Sequence, residues 1–166
     1  MTIIAFDGRY VAADTQASRG DTRSTRLPQK ICVVGGAVYG FCGAAALRDP
    51  MVYWMAACRA DPKERPVCDD ADHKDSQVIR FRPGGQAEMI SWNVPYPELY
   101  SPPDGFGSNV EFVIGAMMHG ASPMEAISYA IKRKVWLGGA IDWVDLSDPE
   151  LQIHRIAAQS PWKDLV

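Results

Sequence analysis

The chain has 166 residues, 47% of them hydrophobic, with five tryptophans and a formal net charge of −3; this suffices for one domain with a sizeable core and excludes an intrinsically disordered chain. Its longest basic run, Lys132-Arg133-Lys134, is too short for an extended nucleic-acid surface. No apolar stretch approaches the ~20 residues that cross a bilayer, and no basic segment precedes an apolar one at the start, so a cytoplasmic protein is expected.

In chain order, Thr2-Ile3-Ile4-Ala5-Phe6 turns at Asp7-Gly8 into a second apolar run, Arg9 to Asp14, and Lys30-Ile31-Cys32-Val33-Val34 turns at Gly35-Gly36 into the run Ala37 to Gly43. Both read as hairpins. A helix is expected from Asp49, with that carboxylate as cap and Pro50 at the first position. A polar stretch from Asp61 to Asp75 follows, then a hairpin of Gln77–Phe81 and Ala87–Trp92 about Pro83-Gly84-Gly85. The Pro, Gly and Tyr content of Asn93–Gly107 reads as a long irregular loop. Helices are expected over Ser108–Met118 and Pro123–Val135, the second with Ser122 and Glu125 as a capping box. Strands at Ala140–Val144 and Leu151–Ile156 close the chain. Strands and helices grouped in blocks argue for layered antiparallel sheets covered by helices, an α+β protein, rather than a parallel βαβ sheet. Without repeat or linker, residues 1–166 read as a single domain.

Several features offer little chemistry. Cys32, Cys42, Cys58 and Cys68 contain no Cys-x-x-Cys pair and read as buried free thiols rather than a zinc site. Asp69, Asp70, Asp72, His73 and Asp75, interrupted by Lys74, read as a solvated loop. Gly105-Phe106-Gly107 lacks the remainder of a dinucleotide fingerprint and reads as the turn before a helix. His119 and His154 have no Ser or Cys at a recognisable spacing, and Met117-Met118 reads as core.

Thr2 is the exception. Once Met1 is removed, Thr2 carries both a hydroxyl nucleophile and a free α-amine, which titrates near pH ~8 and so serves as a base at neutral pH. Such a nucleophile needs a cation near its hydroxyl, a carboxylate to hold that cation, and a backbone N–H aimed at the oxyanion. Lys30, Asp14 and Gly43 are candidates for these three roles.

The order and spacing of Thr2, Ala12-Ala13-Asp14, Lys30 and Gly43-Ala44-Ala45-Ala46 resemble those of proteasome β-subunits and HslV-type peptidases, the threonine-dependent N-terminal nucleophile hydrolases. Gly107-Ser108-Asn109 and the helical run after it look like the family's Gly-Ser-Gly and its helix, and Gly120–Ala126 like the start of the next. The likeness spans nearly the whole chain and is greatest to short stand-alone members of bacterial and bacteriophage genomes. It implies a four-layer αββα sandwich and a threonine peptidase that needs no cofactor or metal. Ser108 would join the catalytic cluster, and Ala17, Ser18, Cys32, Phe41 and Ala45 would surround an uncharged first specificity pocket selecting apolar side chains. It further implies a homo-oligomeric ring acting on peptides or unfolded protein; no motif for docking an ATPase is recognisable. The apolar residues Met51, Tyr53, Trp54, Met117, Met118 and Trp136 are candidates for ring contacts. The chain departs from the family before Gly138-Gly139. Where relatives carry Asp-x-x-Ser/Thr to orient the amine, it has Lys134-Val135-Trp136-Leu137. That departure, or retention of Met1, leads to the alternative of a catalytically silent ring-forming or virion protein. A small-molecule amidase of the same class is a third reading.

Overall fold

The computed structural model describes residues 1–19, 22–23, 28–57, 66, 75–83, 85–92, 97–133 and 137–157, with side chains left undescribed at 18, 19, 22 and 23. The chain opens with β1 (Ile3–Phe6) and β2 (Tyr10–Asp14). Their turn is closed by Asp7, whose Oδ1 accepts the N–H groups of Arg9 and Tyr10 at 2.9 and 2.7 Å, the local bonding for which Asp is favoured in turns. A short hairpin of β3 (Ser18–Arg19) and β4 (Thr22–Arg23) precedes β5 (Ile31–Val34) and β6 (Ala37–Cys42). A 3₁₀ turn at Ala45–Leu47 then leads into α1 (Arg48–Ala57). The second half comprises β7 (Gln77–Phe81), β8 (Ala87–Ser91), β9 (Glu98–Tyr100), β10 (Asp104–Gly107), α2 (Val110–Met118), α3 (Pro123–Arg133), β11 (Ala140–Asp145) and β12 (His154–Ala157).

Two five-stranded antiparallel sheets result, ordered β10-β1-β2-β11-β12 and β5-β6-β7-β8-β9. Side-chain alternation in β1 explains how they stack. Ile3 and Ala5 join Val113, Met117, Ile127 and Ile141 in a core beneath α2 and α3. Ile4 and Phe6, on the opposite face, join Val38, Ile79 and Phe81 between the sheets, where the Phe6 and Phe81 ring centroids lie 5.2 Å apart. The far face of the second sheet packs Tyr39, Phe41, Val78 and Ile90 against Met51, Trp54 and Met55 of α1. The layers are therefore helix, sheet, sheet, helix: the expected αββα sandwich. A strand buried on both faces reads as a continuous apolar run, which is why Ile3–Phe6 lacks polar alternation.

Four local expectations differ. The segment 93–107 is not all loop: β9 pairs with β8, and β10 pairs with β1 in the register Ile3↔Gly107. Gly105-Phe106-Gly107 is accordingly edge strand rather than turn, since pairing with β1 overrides its composition. The helix α1 begins at Arg48 as a continuation of the 3₁₀ turn, so Asp49 lies in its first turn, not at its cap. The last strand starts at His154 because Leu151 sits at φ 48° in the preceding turn. The capping box of α3 forms as expected: Ser122 N–H donates to Glu125 Oε2 at 2.8 Å and Glu125 N–H to Ser122 Oγ at 3.3 Å. Met51, Trp54 and Met117 are consumed by the core, whereas Tyr53 and Met118 stay 62% and 72% exposed; Trp136 lies outside the described residues. His119 is exposed, with Nδ1 2.8 Å from the Gly115 carbonyl, and His154 stacks on Trp143 at 4.5 Å. No described helix is long and apolar enough to cross a membrane.

Candidate active site

The N-terminus runs along the end of the first sheet and meets the end of the second. Asp14, the last residue of β2, is fully buried beside it. Its Oδ1 accepts the Ile3 N–H at 3.0 Å and Lys30 Nζ at 2.7 Å, and its Oδ2 accepts the Gln16 N–H at 3.3 Å. Lys30, just ahead of β5, is buried too, and its ammonium donates a further bond to the Met1 carbonyl at 3.0 Å. Burial pushes the Asp14 carboxyl up from its ordinary value and Lys30 down, and the contact between the two opposes both shifts. Cys42, next to the pair and buried, is pushed up to about 12 by that burial, which leaves it a thiol.

Thr2 is partly buried between two cavities. The first, about 380 Å³, is lined by Ala17, Lys30, Phe41, Gly43, Ala45 and Arg48 among others. The second, about 340 Å³, is lined by Cys42, Gly43, Asp75, Gln77, Gly107 and Ser108. Both also touch Met1 and Thr2. The Thr2 carbonyl accepts the Ser108 N–H at 2.7 Å. Gly107 makes this approach possible. At φ +95° it adopts a conformation that side chains avoid, and a Cβ there would lie 2.2 Å from the Thr2 oxygen.

Of the residues singled out from sequence, Thr2, Asp14, Lys30, Gly43 and Ser108 thus converge on the N-terminus, and Ala17, Phe41 and Ala45 line the first cavity. Cys32 is not among the residues lining it; its side chain is partly buried against the α1 core. Ser18 begins β3, and its side chain lies outside the described residues, as do Lys134, Val135 and Trp136. Leu137 is 1% exposed and packs in the core under α3 with Ile127, Ala130 and Ile141. Cys58, Cys68 and four members of the acidic stretch, Asp69, Asp70, Asp72 and His73, are also outside. Among the described residues no group of three or more His, Cys, Asp or Glu is placed to hold a metal.

Sequence reasoning missed three neighbours of the site. Arg48 lines the first cavity with its guanidinium engaged, donating to Asp49 Oδ1 and the Gln29 carbonyl, each at 2.7 Å. Gln16 lines it with a buried amide that donates to the Ala17 carbonyl at 2.6 Å. Ser76 packs under Gly43. None belongs to a recognisable motif; only the pairing of β6 with β7 brings Ser76 near.

The four-layer αββα sandwich of this chain is a proteasome β-subunit or HslV-like fold. Solved structures of the same shape include Thiobacillus denitrificans BPH in complex with epoxomicin. That structure is 17% identical over 96% of this chain and all of the other, with a TM-score of 0.65. BPH of the same organism without the compound gives 0.64 over 97% of this chain and all of that one, also at 17% identity. Eukaryotic HslV from Trypanosoma brucei gives 0.60, at 17% identity over 86% of this chain and 97% of that one. No family model matches the sequence, and no curated protein matches it at a significant level.

Proposed function

We propose that this chain, once Met1 is removed, is a threonine-type peptidase of the N-terminal nucleophile class. The observation that carries the reading is the gathering of Thr2, the buried Lys30–Asp14 pair, Gly43 and Ser108 at one chain end between two cavities. Lys30 Nζ lies at most about 5.5 Å from the Thr2 nitrogen, since only one C=O and one C–N bond separate that nitrogen from the Met1 oxygen it bonds. Loss of Met1 frees that donor while Asp14 still holds the ammonium. Lys30 then stabilises the Thr2 alkoxide, and the newly exposed amine takes the hydroxyl proton. The Thr2 oxygen attacks the peptide carbonyl, Gly43 N–H receives the developing oxyanion, and the amine returns its proton to the leaving nitrogen. Water then hydrolyses the ester by the same route in reverse. Ser108 stabilises the amine. The acyl-side residue occupies the first cavity, where Ala17, Phe41 and Ala45 favour an apolar side chain and Asp49 offsets the charge of Arg48.

A second reading has its own observation. With Met1 in place, the Met1 carbonyl occupies Lys30 and the Thr2 nitrogen is an amide, so the same fold is catalytically silent and serves as a ring-forming or virion component. Intact mass separates the two states. In the cytoplasmic peptidase the chain starts at Thr2, cleaves a fluorogenic peptide with an apolar residue before the scissile bond, is inhibited by epoxomicin, and loses all turnover in a folded Thr2→Ala variant. Undiminished turnover in Thr2→Ala rejects Thr2 as nucleophile. We further propose assembly into a homo-oligomeric ring, which the exposed Tyr53 and Met118 support; an 18 kDa species by light scattering at micromolar concentration would refute it.

A further inference from the structure

Gly43 and Ser76 face each other immediately beyond the last rung of the β6–β7 ladder, Cys42↔Gln77. At this point the chain leaves the sheet with Gly43 at φ +133°. A Cβ on Gly43 would lie 2.3 Å from Ser76 Oγ and 2.7 Å from its Cα, so the turn rests directly on Ser76. The Ser76 side chain is 1% exposed, and its Oγ accepts the Ala44 N–H at 3.3 Å. Ser76 is itself fixed from behind, because its carbonyl accepts the Trp92 N–H at 2.8 Å and Trp92 is buried in the α1 core. The second sheet thus holds the Gly43–Ala44 turn by two independent means, one steric and one a hydrogen bond.

We infer that Ser76 is a positioning residue for peptide hydrolysis: by holding the Ala44 N–H and packing under Gly43, it fixes the direction in which the Gly43 N–H meets the oxyanion. The inference rests on the peptidase reading. An oxyanion donor contributes only if it is held in place before charge develops, and removing one outright costs about 100- to 1,000-fold in kcat. A donor that keeps its atoms but loses its support should cost less. The substrate's ground-state contacts, which are made in the two cavities, should not change.

The test uses the full chain starting at Thr2. Ser76→Ala removes the acceptor and retains the packing of the β-carbon, and Ser76→Thr restores a hydroxyl. The expected result for Ser76→Ala is a kcat lower by about 10-fold with KM within about 2-fold. Amide exchange at Ala44 should be faster, and Ser76→Thr should recover both kcat and protection. A Ser76→Ala protein with wild-type kcat overturns the inference, whatever its exchange or melting temperature, since a merely structural serine would move only those. Unchanged exchange at Ala44 overturns it as well. The peptidase reading fails in a different place: the processed wild-type chain itself hydrolyses no peptide, and the inference then falls with it.

Discussion

Lys30→Met tests the centre of the site without reference to activity. The substitution keeps most of the length of the side chain but removes the ammonium that Asp14 holds at 2.7 Å. Asp14 has no exposed surface, so its carboxylate would be left buried with only the Ile3 and Gln16 N–H groups as donors. Breaking a buried pair by removing one partner costs about 3–5 kcal/mol, and that range applies while the carboxylate stays charged. It need not stay charged. Burial already raises the Asp14 carboxyl in the native protein, and losing Lys30 removes the largest influence opposing that rise. A carboxyl whose folded pKa is raised contributes stability at low pH that is lost as pH increases through that value, about 1.4 kcal/mol for each tenfold gain in proton affinity on folding. The deficit of Lys30→Met relative to wild type should therefore be about 3–5 kcal/mol while Asp14 stays charged and should shrink as pH is lowered from 8, since uptake of a proton by Asp14 removes the buried charge. Urea unfolding followed by tryptophan fluorescence measures it. The double variant Asp14→Asn/Lys30→Met should be more stable at pH 8 than Lys30→Met alone, because no buried charge remains and Asn still offers an oxygen to the Ile3 N–H. A deficit below about 1 kcal/mol at pH 8, the range of an exposed pair, would show that the pair is not buried as described.

Three further substitutions test neighbouring parts of the fold. Gly107→Ala should destabilise by about 2 kcal/mol or more in thermal melts, combining a positive φ with a Cβ 2.2 Å from the Thr2 carbonyl, and should also lower activity by displacing the N-terminus. Ser122→Ala removes one half of the capping box of α3 and should cost about 1 kcal/mol in urea unfolding, without effect on turnover. Leu137→Ser opens a cavity and buries a hydroxyl in the core beneath α3; a loss of about 2–4 kcal/mol is expected, and a neutral result would mean that the side chain is not in that core.

How much was legible in the sequence depended on whether a residue's role was local or long-range. The β1–β2 hairpin announced itself because Asp7 both starts the turn and accepts its N–H groups, and α3 because its cap is written in Ser122 and Glu125. The buried strand β1 was readable as a continuous apolar run. By contrast, β10 becomes a strand only because β1 is available to pair with it, and no periodicity within Asp104–Gly107 carries that information. The site divides in the same way. Thr2, Asp14, Lys30 and Gly43 were found from chemistry and order along the chain, because an N-terminal nucleophile needs a cation, a carboxylate and a backbone donor. Ser76 and Arg48 were not, since a serine that supports a backbone turn and an arginine tied to a carbonyl carry no signature of their own. The distinction bears on function directly. Thr2, Lys30 and Gly43, visible in sequence, are proposed to touch the reacting atoms and Asp14 to hold Lys30, whereas Ser76, visible only in the fold, is proposed to set where these atoms point. Of the two classes, only the second separates an assembled site from a merely complete set of residues, and Ser76, which packs under Gly43 and accepts the Ala44 N–H, belongs to it.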